Sequence, residues 1–266
     1  MSYRRHQPLP ADNHVHSEWS WDTKRADMAA TCARAVQLGL PSIAFTEHVD
    51  HTARSAPFDA EGYLEAIEVC RARFGGLRIL TGVELGEAHW NPAETEELLA
   101  GGRFERVLGS LHSAGELDGH PDFAVLYGAR AREQVVRDYL AEIEKLITGF
   151  DGFQVLAHID YPARRWPVGE DRWDPHAFDP TLFEEEYRHV LRILAGSGRT
   201  LEFNTRIPMD PLLLRWWYDV GGDSVSFASD AHEPDLLAHG FAEAVAVASA
   251  AGFRPGADPL DFWRRA

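Results

Sequence analysis

The sequence contains very little lysine or cysteine, and each shortage narrows the chemistry open to the protein. Of its 26 basic residues only Lys24 and Lys145 are lysines, so covalent catalysis through a lysine amine has almost no candidate residue. The two cysteines, Cys32 and Cys70, lie in alanine-rich segments with helical periodicity, far in sequence from any histidine cluster. We therefore expect both to be small buried hydrophobic residues.

Long hydrophobic runs are missing as well. No stretch of about 18 apolar residues occurs in the sequence, so no membrane-spanning helix is predicted. The segment from Met1 to Pro10 is polar and lacks the apolar core of a secretion signal. The sequence thus predicts a cytoplasmic protein with no membrane partner.

Positive charge is in short supply. Lys and Arg number 26 against 42 Asp and Glu, which gives a net charge of −16. This excess repels phosphate backbones and argues against an extended nucleic acid as partner, although a local basic pocket for a small anion is compatible with it. The 266 residues, 45% of them hydrophobic, suffice for a sizeable core, and we expect a single domain over residues 1–266. Nothing in the sequence indicates an oligomeric state.

Short apolar runs alternate with longer segments of helical periodicity. The runs are rich in β-branched and aromatic residues, which is typical of parallel strands buried on both faces. The predicted strands are 41–45, 78–83, 106–111, 152–157, 199–203 and 223–228, preceded by a short one near 11–13. The predicted helices are 23–38, 60–74, 129–148, 180–196, 211–220 and 236–251. This alternation predicts an α/β fold, with a closed or nearly closed barrel favoured over an open sheet.

Nearly every predicted strand ends in residues that can bind a metal ion. Because the carboxyl ends of barrel strands share one face, we expect these residues to meet in one polar site. In chain order they are His14, His16, Asp22, His48, Glu84, His112, His158, Asp230 and His232. The strand at 199–203 is followed instead by the polar residues Asn204 and Arg206, and its own last residues include Glu202. His51, three residues after His48, is a further candidate for the rim.

Such a concentration of imidazoles and carboxylates indicates a bound metal. Without a central cation these groups would repel one another or stay unpaired. His14 and His16 lie two residues apart at a strand end, so both side chains point to the same side, and Asp230 and His232 repeat that spacing. Glu84 can bridge two ions through its two oxygens. Histidine and carboxylate ligands suit Zn, Mn and Fe alike. One histidine at a strand end is usually structural or solvated, and the prediction depends on the whole set.

With these motifs the chain resembles the PHP (polymerase and histidinol phosphatase) superfamily. The four motifs are Asp12-Asn-His14-Val-His16, Thr46-Glu47-His48, Gly109-Ser-Leu-His112 and Ser229-Asp230-Ala-His232, and Glu84 and His158 match two further ligands. The resemblance extends from Asp12 to His239. It implies a distorted (β/α)7 TIM-like barrel that holds two or three divalent metal ions.

The resemblance also implies how the ligands divide among the ions. The first ion would take His14, His16, Glu84 and Asp230; the second Glu84, His112 and His158; and the third Asp22, His48 and His232. Several family members have a histidine where this chain has Asp22. The choice between two and three ions therefore stays open.

The implied reaction is phosphoester hydrolysis. Paired divalent ions lower the pKa of a bridging water, and the resulting hydroxide attacks phosphorus. The resemblance places Glu84, Asp230, His232 and Arg206 in the catalytic centre. Arginine suits phosphate because of its bidentate fork, which makes Arg206, Arg164 and Arg165 the substrate-binding candidates, with an ordinary surface salt bridge as the alternative for each.

Chain length and the long interval from His112 to His158 are similar to those of monofunctional histidinol-phosphate phosphatases. This implies hydrolysis of L-histidinol phosphate to L-histidinol and phosphate, a step of histidine biosynthesis. Asp50 and Glu87 are, by position only, candidates for contacts to the substrate amine. The alternatives are a PHP-family nucleotide or short-oligonucleotide phosphoesterase and a non-catalytic metal-binding module. An amidohydrolase is disfavoured because neither lysine is placed where a carboxylated lysine would be needed.

Two long connections, 113–128 and 161–178, are candidates for lids over the site. The second contains Trp166 and Trp173, whose faces would contact an imidazole or a base if it closes over the substrate. A packed surface loop is the equal alternative.

Overall fold

A computed structural model describes residues 8–50, 52, 55–101, 103–113, 122–170, 172–260 and 262–266. His51, the rim candidate, lies outside the described residues, as do residues 114–121 of the first long connection. The strands in chain order are β1 Asp12–Val15, β2 Ser42–Asp50, β3 Arg78–Gly86, β4 Arg106–Ser110, β5 Val155–Leu156, β6 Pro167–Gly169, β7 Arg172–Trp173, β8 Thr200–Asn204, β9 Ser224–Ala228, β10 Phe253–Arg254 and β11 Trp263–Arg265. The α-helices are α1 Met28–Leu38, α2 Ala60–Arg73, α3 Pro92–Leu99, α4 Arg132–Gly149, α5 Glu184–Gly196, α6 Pro211–Asp219 and α7 Phe241–Ala251.

Nine of these strands form one curled sheet in the order β1-β2-β3-β4-β5-β8-β9-β11-β10. Within this sheet, the strands β1, β2, β3, β4, β5, β8 and β9 all pair in parallel. The curl brings the end of β9 back to β1, where Val15 forms a parallel bridge with Ala231 and the amide of Asp230 donates to the carbonyl of His14 at 2.8 Å. The predicted distorted α/β barrel is confirmed.

The C-terminal segment adds to the sheet at the first residues of β9. β11 pairs antiparallel with β9, with Trp263 opposite Val225. Phe253 of β10 and Trp263 of β11 are both buried, so these short strands extend the core as well as the sheet. These two strands were not predicted.

The helices cover the outside of the barrel and follow the predicted pattern, with shifted starts. α4 buries a continuous apolar stripe against the sheet: Val135, Val136, Tyr139, Leu140, Ile143, Leu146 and Ile147. α1 begins at Met28 rather than at residue 23, because Asp27 caps its first turn by accepting from Ala30 N. α7 begins at Phe241 rather than at residue 236, because Gly240 adopts φ 69° and stops the backbone from being helical. α3 was not predicted.

The described part of the chain contains no candidate membrane-spanning helix. In the described ranges, no helix is both long enough and apolar enough to span a bilayer.

Candidate metal centre

The nine predicted ligands all lie at the carboxyl-terminal face of the barrel, and the structure brings them together. Seven of them line a cavity of about 340 Å³: Asp22, His48, Glu84, His112, His158, Asp230 and His232. His14 and His16 are almost completely buried and do not line the cavity, whereas Asp22 and His232 are partly exposed. Parallel strands deliver their last residues to the same edge, which is why positions far apart in sequence converge here.

Glu84 occupies the middle of this arrangement. Its Oε2 lies 3.1 Å from His14 Nε2, 3.4 Å from His16 Nε2 and 3.1 Å from His48 Nδ1, and its Oε1 lies 2.7 Å from His158 Nε2 and 3.2 Å from His112 Nε2. One carboxylate therefore faces two groups of imidazoles, one group with each oxygen. This is the geometry that a ligand bridging two ions requires.

Sets of potential ligand atoms lie within 4.8 Å of one another in four groups. The groups are His14, His16 and Asp230; Glu84, His112 and His158; His16, His48 and His232; and His48, Asp50 and His112. The second is the grouping implied for the second ion, and the first contains three of the four ligands implied for the first ion, without Glu84. For the third, Asp22 Oδ2 lies 3.0 Å from His232 Nε2 and 3.5 Å from His48 Nε2.

The nitrogen and oxygen atoms of the cluster converge at short distances from one another. His48 Nδ1 lies 3.1 Å from Glu84 Oε2, yet it is buried and has no aligned hydrogen-bond partner among the described residues. The Nε2 atoms of His14 and His16 face each other at 3.0 Å. Nitrogen and oxygen donors converging in this way fit a divalent cation such as Zn, Mn or Fe.

Charge within the cluster is shared unevenly among the imidazoles. Burial opposes protonation of His14, but the carboxylates of Glu84, Glu202 and Asp230 outweigh it and raise the pKa of His14 well above the ordinary value. The same competition raises the pKa of His48 to about 9. In return, the charges of the neighbouring imidazoles overcome burial and hold the pKa of Glu84 well below its usual range.

Two other predicted ligands have lowered pKa values. Burial, together with the charges of His48 and His232, lowers the pKa of His16 to about 4. Burial and the nearby guanidinium of Arg164 lower the pKa of His158 to about 4. A neutral imidazole offers a free lone pair, so these two side chains are ready to bind a cation at neutral pH.

Metal affinity is expected to rise steeply between pH 7 and pH 9. A cation binds only the neutral imidazole, and a pKa of about 9 keeps His48 protonated at pH 7 in the metal-free protein. From pH 7 to pH 9 its neutral fraction grows about 50-fold, whereas that of an ordinary histidine grows by about 1.3-fold. Competition titrations across this range should show the Kd falling as pH rises. A Kd that changes less than twofold would contradict the prediction.

Asp50 belongs to the cluster, although the sequence analysis placed it only near the substrate amine. Its Oδ1 lies 3.1 Å from His112 Nδ1, and its Oδ2 accepts from Trp21 Nε1 at 2.8 Å. The carboxylate packs directly on Gly86, where an added Cβ would meet Oδ1 at 2.0 Å, so only glycine fits there. Asp50 thus turns the His112 ring so that Nε2 faces Glu84.

The second amine candidate, Glu87, does not face the cavity. It is fully buried and accepts hydrogen bonds from the backbone amides of His112 and Ser113 through one oxygen. The prediction that Glu87 contacts the substrate is therefore wrong. Burial raises the pKa of Glu87 to about 7, although the neighbouring charge of His112 opposes this.

All three predicted arginines line the cavity. Arg164 is largely buried and donates from Nη2 to Asp230 Oδ2 at 2.6 Å. Arg206 is more exposed, and its Nη1 lies 3.1 Å from Asp230 Oδ1 and 2.9 Å from His232 Nδ1. Arg165 is exposed at the mouth. Asp230 itself has φ 52°, an unusual conformation for a residue other than glycine, which aims its carboxylate into the site.

The connection 161–178 is a folded segment rather than an open loop. It contains the β6–β7 hairpin, and Trp166 packs into the core against Phe178 and Phe183. Trp173 is exposed, and neither tryptophan lines the cavity. Tyr161, at the start of this segment, does line it, as does Trp21, and the Tyr161 ring centroid lies 5.3 Å from those of both His112 and His158.

The chain is similar to several known proteins. The family model of the PHP domain matches residues 12–206. A histidinol-phosphatase of Lactococcus lactis is 27% identical over 231 residues, which are 83% of this chain and 83% of that protein. A probable histidinol-phosphatase of Deinococcus radiodurans is 29% identical over 231 residues, 79% of this chain and 82% of that protein.

Two solved structures share the fold. The Lactococcus lactis histidinol phosphate phosphatase, crystallised with zinc, L-histidinol and phosphate, superposes with a TM-score of 0.83 at 24% identity, covering 96% of this chain and 98% of that one. A histidinol phosphatase of Listeria monocytogenes, described as putative, gives a TM-score of 0.71 at 18% identity, covering 88% and 99%.

Proposed function

This chain belongs to the PHP domain family, and we propose that it is a metal-dependent phosphatase that hydrolyses L-histidinol phosphate to L-histidinol and phosphate. The observation that carries the proposal is the position of Glu84. Its two oxygens face two separate groups of imidazoles, and Arg164 and Arg206 lie across the same cavity.

The choice of substrate is supported by the relatives. The Lactococcus lactis protein is named a histidinol-phosphatase, and its structure holds L-histidinol and phosphate beside zinc. That protein and this chain align over most of the length of both. A cavity of about 340 Å³ also suits a small phosphorylated molecule better than a polymer.

The residues present fit two ions, with a place for a third. We propose that His14, His16, Glu84 and Asp230 hold the first, that Glu84, His112 and His158 hold the second, and that Asp22, His48 and His232 hold the third. Asp22 is the most exposed of these carboxylates, so the third ion is expected to exchange fastest. Zinc is the first metal to test, with manganese and iron as alternatives.

When bound, such ions supply an acidified water for attack on phosphorus. The chain supplies the remaining steps. Arg164 and Arg206 are positioned to neutralise the non-bridging phosphate oxygens, whose charge changes during the reaction. Asp230 receives both guanidinium groups and keeps them beside the ligand set.

We further propose that the whole chain, residues 1–266, acts as one phosphoesterase domain. A cytoplasmic location stays a prediction from the sequence, and cell fractionation with an antibody to the protein would check it.

Phosphate release by the purified protein tests the proposal. L-histidinol phosphate, AMP and short oligonucleotides would be compared at equal concentration with added Mn or Zn. We expect kcat/KM for L-histidinol phosphate to exceed that for AMP at least 100-fold, and chelation to abolish turnover. Hydrolysis of AMP but not of L-histidinol phosphate would replace the substrate. Tight metal binding with no turnover of any phosphoester would indicate a non-catalytic module.

A further inference from the structure

One polar pair at the end of β8 has no role in the scheme above. Glu202 and Asn204 lie at the end of β8, as the candidate metal ligands lie at the ends of other strands. Among the described residues, Glu202 belongs to none of the His, Asp and Glu groups whose ligand atoms converge. Both residues are buried, with only 1% of their surface exposed to solvent. Burying a carboxylate costs free energy unless its oxygens accept hydrogen bonds. The hydrogen-bond partners of Glu202 therefore indicate its role.

Glu202 uses both oxygens, and each contacts a residue that belongs to a different proposed metal position. Oε2 lies 2.7 Å from His14 Nδ1. Oε1 accepts from the backbone amide of His158 at 3.0 Å and from the side-chain amide of Asn204 at 2.8 Å. One side chain on β8 thereby touches a ligand of the first ion and a ligand of the second.

The contact to His14 fixes which ring nitrogen faces the cluster. With Glu202 accepting at Nδ1, the proton of the neutral ring is held there, and Nε2 keeps its lone pair. Nε2 is the atom that lies 3.0 Å from His16 Nε2 and 3.1 Å from Glu84 Oε2. Glu202 thus aims the lone pair of His14 at the predicted position of the first ion.

Asn204 extends the same network to the substrate side. Its side-chain amide also lies 3.4 Å from Asp230 Oδ2, and its oxygen accepts from the backbone amide of Arg206 at 2.9 Å. The end of β8 therefore connects two imidazole ligands, the carboxylate ligand Asp230 and the proposed phosphate-binding arginine.

We propose that Glu202 is a positioning residue that fixes the tautomer of His14 and joins the first and second metal positions into one unit. The proposal rests on the metal centre of the proposed function and does not depend on the identity of the substrate.

Glu202→Gln is the informative substitution because it keeps the size and reverses one hydrogen bond. The amide oxygen can still accept from the two amides now bound by Oε1. The amide NH2 then faces His14 Nδ1, so that nitrogen must accept and the ring proton moves to Nε2. The lone pair aimed at the first ion is lost, although the packing is unchanged.

Metal affinity is the first readout. In competition titrations with Zn or Mn, we expect Glu202→Gln to raise the Kd of the tightest site 10- to 100-fold. Glu142→Gln is the matched control, since Glu142 Oε1 lies 2.8 Å from His89 Nε2 in the same kind of pair, on α4 and outside the metal centre. The control should keep the wild-type Kd. Equal Kd values for wild type and a folded Glu202→Gln would overturn the proposal.

The second readout needs no variant. Nitrogen-15 NMR of the wild-type protein loaded with Zn should show His14 protonated at Nδ1 and metal-bound at Nε2. Metal bound at Nδ1 would overturn the proposal even if Glu202→Gln failed to fold. Both readouts are independent of turnover, so a failure on L-histidinol phosphate with a raised Kd would reject the substrate and leave the role of Glu202 intact.

Discussion

Replacing Glu84 with Gln is expected to lower kcat/KM by at least about 1,000-fold, which corresponds to about 4 kcal/mol of transition-state stabilisation. Both oxygens of Glu84 are engaged, one toward His158 and His112 and the other toward His14, His16 and His48. An amide has one acceptor oxygen, so it can serve one side only, and its NH2 would repel a cation on the other. The loss should appear in kcat/KM and in the number of ions per chain measured by elemental analysis.

A second substitution distinguishes the effect of the carboxylate charge at position 84 from the effect of side-chain length. Glu84→Asp keeps the carboxylate but shortens it by one methylene, so it should retain one ion and lose the bridge. We expect an intermediate ion count and activity closer to that of Glu84→Gln than to wild type. Melting temperatures with and without metal show whether each variant is folded. Activity within tenfold of wild type for folded Glu84→Gln with a full ion count would reject the bridging role.

The barrel could be predicted because its strands are continuous apolar runs separated by amphipathic helices. The elements that escaped prediction lack those signals. α3 buries only Thr95, so it presents no apolar stripe to a periodicity search, although Asn91-Pro92 marks its start. β10 and β11 are two and three residues long, and β11 is ordered by pairing with β9, a contact between residues that are distant in the chain. Short elements that depend on distant partners leave no local pattern.

The positions of the candidate ligands could be predicted for the same reason as the strands. Each strand ends at one face, so a histidine or carboxylate at a strand end is located by topology alone. Asp50 could have been found in the same way, because it lies two residues after His48 on β2 and points to the same side. The contact of its carboxylate with His112 could not be predicted from the sequence. That contact, like the contact of Glu202 to His14 across 188 residues, depends on how the barrel closes.

The arginines lining the cavity differ in a way that predicts a ranking. Arg164 is largely buried, with 17% of its side chain exposed, and among the described residues it makes one hydrogen bond, to Asp230. A guanidinium has five N–H donors, so the others are available to the cavity that Arg164 lines. Arg165, the next residue, also lines the cavity but is exposed to solvent, where its charge is screened.

Arg164→Gln is therefore expected to lower kcat/KM by about 100- to 1,000-fold, mostly through kcat, because it removes a donor that faces developing charge and leaves Asp230 without its shortest partner. Arg165→Gln is the matched control and should cost less than about tenfold, mostly through KM. Arg164→Lys should not restore activity, since one ammonium cannot hold Asp230 and a phosphate oxygen in the geometry of the planar fork. Separate kcat and KM values for the three variants check this. A larger loss in kcat for Arg165→Gln than for Arg164→Gln would reverse the assignment and place the phosphate at the mouth of the cavity instead of beside Asp230.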